Sequence, residues 1–136
     1  IIKLHPGPSE ENISRMVKKI NPDFEVITSG DILPLIKSCS VMITTRLSTA
    51  IVEAQIIEKP VIYVPIFDER YGTPEMFKSN SCVISSINNF ESDLKKTLYD
   101  TSFRHKTINS ANDFLKNYLT NHNQASNELL KFLDNV

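Results

Sequence analysis

Val41-Met42-Ile43-Thr44-Thr45-Arg46-Leu47-Ser48-Thr49-Ala50-Ile51-Val52-Glu53-Ala54 is the stretch whose reading decides the fold. Its first four residues are a short run dominated by apolar side chains, the mark of a strand buried on both faces. Thr45-Arg46-Leu47 turns the chain, and Ser48-Thr49-Ala50 opens a helix expected over residues 48–57. That helix is apolar nearly all round, which predicts deep burial. A strand, a turn and a helix start in this order make the phosphate-binding corner of open α/β sheets. The first N–H groups of such a helix lack helical partners and attract anions.

Working outward, short apolar runs alternate with helical patterns, which predicts βαβ units and a mostly parallel sheet of about five strands. The strands are expected at residues 1–5, 24–28, 41–44, 60–64 and 82–85. Pro6-Gly7-Pro8 stops the first, and Ser9 caps a helix whose face is Ile13, Met16, Val17 and Ile20. Asn21-Pro22-Asp23 is a turn, and Asp31 caps a short helix with Pro34 in its first turn. Residues 65–73 read as a surface loop, and residues 74–79 as one or two helical turns. From about residue 102 the chain is helical, with its best segments at 109–119 and 125–133. The expected fold is therefore α/β: a three-layer Rossmann-like domain with a helical C-terminus, one domain over residues 1–136.

With 136 residues, 40% apolar and 23% charged, the chain has the composition of one globular domain. A net charge of -1 gives no field for nucleic acid. Cys39 and Cys82 are too few and too far apart for a disulfide framework or a zinc motif, and both read as small buried hydrophobes of a cytoplasmic protein. No run of 18 apolar residues spans a membrane. There is no ligand-spaced metal cluster, and no cofactor is expected. Neither the dinucleotide glycine fingerprint nor the P-loop lysine pattern occurs. The chain opens on Ile1-Ile2-Lys3-Leu4-His5 without Met, and we expect it to be a piece of a longer protein.

The candidate site residues follow from the corner. Ser48 and Thr49 offer hydroxyls to a diphosphate, and equally serve as helix caps. Thr45 and Arg46 lie in the turn, Arg46 as a phosphate contact or a surface residue. Glu53 lies four residues after Thr49, on the same helix face. Its carboxylate accepts hydrogen bonds only, which suits the vicinal hydroxyls of a ribose. His105 and His122 read as solvent-facing. Arg70 and Tyr71 lie in a strand-end loop that can touch a ligand or stay a mobile surface loop.

Together, Lys3-Leu4-His5-Pro6, residues 31–44, Ser48-Thr49-Ala50-Ile51-Val52-Glu53-Ala54 and Lys59-Pro60-Val61-Ile62 resemble the C-terminal domain of the GT-B glycosyltransferases. They are similar in the same way to sugar-nucleotide 2-epimerases and CDP-glycerol glycerophosphotransferases. The resemblance covers residues 1–65. It implies a nucleotide-diphosphate donor, a UDP-sugar or CDP-glycerol, used in polysaccharide or cell-envelope synthesis. Ser48 and Thr49 correspond to the diphosphate-holding residues, Glu53 to the ribose-binding acid, and His5 to a position at the cleft rim. Catalytic residues come from a separate N-terminal domain, so none is assigned here. The resemblance places the full-length protein in the cytoplasm and is compatible with peripheral membrane attachment. A UDP-GlcNAc 2-epimerase-like isomerase fragment and a non-catalytic α/β binding module are the alternatives. The family has Gly where this chain has Glu58, and a left-handed helix end at that position is not expected of a glutamate.

Overall fold

The computed structural model describes residues 1–5, 10–66, 74–119 and 124–133. Pro6-Gly7-Pro8, Ser9, Arg70, Tyr71 and His122 lie outside them. The fold class is α/β, with parallel strand pairing throughout and a helical C-terminus. The chain divides into two compact units, Ile1–Leu35 and Ile36–Val136. The five strands fall into two sheets rather than one.

The first unit is a βαβ unit. Strand β1 (Ile2–Lys3), helix α1 (Glu10–Ile20) and strand β2 (Val26–Ile27) follow one another, and β1 pairs with β2 in parallel. Both strands are shorter than their apolar runs, although the Leu4 N–H still bonds the Ile27 carbonyl at 2.9 Å. The turn before β2 closes through the Asn21 side chain, which accepts from the Asp23 N–H at 2.9 Å. Such Asx turns are what asparagine is enriched for. Gly30 has φ +88° with no atom near an added Cβ, so backbone conformation alone requires glycine there. Asp31 then accepts from the Leu33 N–H at 3.0 Å and starts helix α2 (Leu33–Ser38). The division between the units falls inside α2.

The second unit contains strand β3 (Met42–Thr44), helix α3 (Ala50–Ile56), strand β4 (Val61–Tyr63), helix α4 (Glu75–Lys78), strand β5 (Val83–Ile84) and helices α5 (Phe90–Tyr99), α6 (Thr101–Tyr118) and α7 (Ala125–Leu133). Its parallel sheet has the order β3-β4-β5. Central β4 is buried along its whole length, as are Pro60 and Val64 beside it. The outer strand β3 is not, since Ile43 is 45% exposed. Burial on both faces therefore belongs to β4, the central strand, and not to β3 at the sheet's edge.

Helix α3 packs on β3, β4 and α6, and α6 also packs on α5. Ala50, Ile51, Ala54 and Gln55 of α3 are buried, while Ile56 points out at 42% exposure. Burial of α3 is thus one-sided and narrower than its composition implies. Tyr63 and Phe77 stack at 4.6 Å between ring centroids, joining β4 to α4. Asp100 separates α5 from α6 and caps the latter, its carboxylate accepting from the Phe103 N–H at 2.9 Å. One turn on, the Arg104 guanidinium donates to the Ser40 carbonyl at 2.9 Å, tying α6 to the chain before β3.

Two helices end in the same way. After α3, the Lys59 N–H reaches the Ala54 carbonyl at 2.9 Å and the Glu58 N–H reaches Gln55 at 3.0 Å. After α4, Ser81 bonds Met76 and Asn80 bonds Phe77. These are paired six-to-one and five-to-two bonds, which put the intervening residue in the left-handed region. Asn80 has φ +56° and Glu58 has φ +58°. Glu58 therefore does occupy the left-handed conformation, contrary to expectation, because the two backbone bonds hold it there. A Cβ in that region is unfavourable. We expect Glu58→Gly to stabilise the protein by about 0.5–1 kcal/mol after glycine's own entropy is counted. Thermal unfolding should show a rise of roughly 2–5 °C, and a fall would contradict this account of the helix end.

Candidate functional site

The three strands of the second sheet run in parallel, so their carboxyl ends lie along one edge. Thr45, Pro65 and Ser85 follow or close those ends. Adjacent strands are about 4.8 Å apart, so one ligand can reach all three. Open parallel sheets bind ligands outside this edge.

The corner after β3 is fixed by local bonds. The Thr44 hydroxyl donates to the Arg46 carbonyl at 2.8 Å and accepts from the Arg46 N–H at 3.4 Å. That closes the turn and leaves Thr45 and Arg46 exposed. Ser48 then organises the start of α3. Its hydroxyl oxygen accepts from the Ala50 N–H at 3.3 Å, and its carbonyl accepts from the Ile51 N–H at 3.1 Å. Two of the helix-start amides expected to face a ligand are therefore satisfied within the chain. Thr49 has helical dihedrals and makes no side-chain cap bond. Of the two hydroxyl residues, Ser48 caps, and Thr49 is exposed with its hydroxyl uncommitted to the cap.

Glu53 sits in the first turn of α3, its N–H bonded to the Thr49 carbonyl at 3.1 Å. It is half-buried between Val52 and the buried Ala54. Among the described residues its carboxylate has no ion pair and no hydrogen bond. An anion at a helix N-terminal turn is favoured by the macrodipole, but its lone pairs remain open to an outside donor.

An open cleft of about 490 Å³ lies along the same edge, lined by Pro65, Ile84, Ser85, Ser86, Ile87 and Asn88. The buried Ser85 hydroxyl donates to the Asp93 carboxylate at 2.7 Å, and the Ser86 hydroxyl oxygen accepts from the Asn89 N–H at 3.2 Å. Both bonds brace the chain between β5 and α5. Sequence reasoning missed these residues. The available signal was a pair of serines closing an apolar run, followed by Asn88-Asn89.

Four of the six candidates, Thr45, Arg46, Ser48 and Thr49, thus lie in the β3–α3 connection, and Glu53 follows in the first turn of α3. His5 belongs to the first unit, where it follows β1 and is exposed. His105 is exposed on α6.

Behind the corner, Gln55 is 1% exposed. Its amide nitrogen lies 3.0 Å from the Ser81 carbonyl and 3.2 Å from both the Ser81 hydroxyl and the Cys82 sulfur. This pins α3 to the chain before β5. The Gln55 carbonyl oxygen is buried without a partner among the described residues. Burial, opposed by the bonds from Ser81 and Gln55, raises the Cys82 thiol from 9.0 to about 11. Cys82 therefore stays protonated at neutral pH and acts as a packing group. Cys39 is only half-buried, its thiol donating to the Ile36 carbonyl, so deep burial holds for Cys82 alone.

Among the described residues no cluster of His, Cys, Asp and Glu can hold a metal ion, and no helix is long and apolar enough to cross a membrane. Comparison with family models, with curated proteins and with solved structures gave no match.

Proposed function

We propose that this chain is the donor-nucleotide-binding half of a GT-B-type transferase acting on a nucleotide sugar or CDP-glycerol. The observation that carries the reading is Glu53. It is a half-buried carboxylate with no partner among the described residues, one turn beyond the uncommitted Thr49, at the carboxyl edge of a parallel sheet. Its oxygens are not among the buried unpartnered atoms of the described residues, so water reaches them and a ligand's hydroxyls can take water's place. A ribose diol supplies two donors.

In this reading Thr45, Arg46, Ser48 and Thr49 meet the diphosphate, with His5 the remaining candidate from the resemblance. Charge builds on the leaving diphosphate as the donor bond breaks, and fixed donors there lower the barrier. The acceptor and the catalytic base belong to a separate N-terminal domain, so this chain alone binds and does not turn over. A cytoplasmic setting and a role in polysaccharide or cell-envelope synthesis belong to the same reading.

The test compares UDP, CDP and GDP with inorganic pyrophosphate, on the wild-type chain and on Glu53→Ala. The variant should lose about tenfold in affinity for the preferred nucleotide, the worth of hydrogen bonds to a charged group. Its affinity for pyrophosphate should not change. Equal losses for both ligands, or none for either, would remove Glu53 from the ribose site.

A further inference from the structure

We draw no further inference here: the strongest candidate, the open cleft at the carboxyl ends of β4 and β5 lined by Pro65, Ile84, Ile87 and Asn88, belongs to the site already described, and nothing in the structure shows what covers its isoleucines.

Discussion

Gln55→Glu is expected to cost about 3 kcal/mol or more at pH 7.5, a large part of a domain's typical stability. The substitution keeps shape and volume and changes one donor into an acceptor. The amide nitrogen now serves the Ser81 carbonyl at 3.0 Å. A carboxylate oxygen in its place faces that carbonyl with no proton between them, inside a site that is 1% exposed. Removing a donor from a buried pair also leaves the carbonyl unsatisfied. Burial disfavours the ionised glutamate and raises its folded-state pKa above the unfolded value of about 4.3. The raised pKa sets the sign of the pH dependence. Stability is retained below the unfolded pKa and lost as pH rises through the folded one. Urea unfolding at pH 4 and pH 7.5 checks both parts. Equal stability of variant and wild type at pH 7.5 would mean that Gln55 does not join α3 to the chain before β5.

Thr49→Asp is expected to separate folding from binding. Thr49 is exposed and makes no cap bond, so the substitution removes nothing the fold uses. An acid at the start of a helix is favoured by the macrodipole, so stability should hold or rise by a few tenths of a kcal/mol. The same carboxylate stands where the diphosphate is proposed to bind. Two unit charges about 4 Å apart repel by about 4 kcal/mol near a protein surface, and solvent reduces this further. What remains should weaken UDP or CDP by about 100-fold. Unfolding curves and nucleotide titrations on the one variant read both effects. Unchanged nucleotide affinity would place the diphosphate elsewhere.

The β3–α3 corner was legible because the hydrophobic pattern changes period there, from a continuous run to a helical face. The residues that build it are neighbours in sequence. Burial of individual strands was not legible. Val41-Met42-Ile43 and Val61-Ile62-Tyr63 are equally apolar, and only the order β3-β4-β5 puts one at the edge and the other in the middle. Division of the strands into two sheets is equally a matter of pairing, which apolar runs do not encode. Glu58 shows another limit. Its left-handed backbone is imposed by bonds from Glu58 and Lys59 back to Gln55 and Ala54, so residue type alone pointed the wrong way. Gln55 lies in a helix expected to be deeply buried, but the partner on which its burial depends is a carbonyl 26 residues further on, which its neighbours in sequence do not reveal. The cleft was hidden for the same reason, since its walls come from the ends of two strands more than 15 residues apart.

The most direct test of the donor-binding reading is a titration of the wild-type chain with UDP, CDP and GDP, followed by backbone amide NMR shifts. The account predicts shifts clustered at residues 45–53, saturating for one nucleotide ahead of the other two. Shifts confined to other parts of the second unit, or none at millimolar nucleotide, would contradict the assignment of the β3–α3 corner as the diphosphate site.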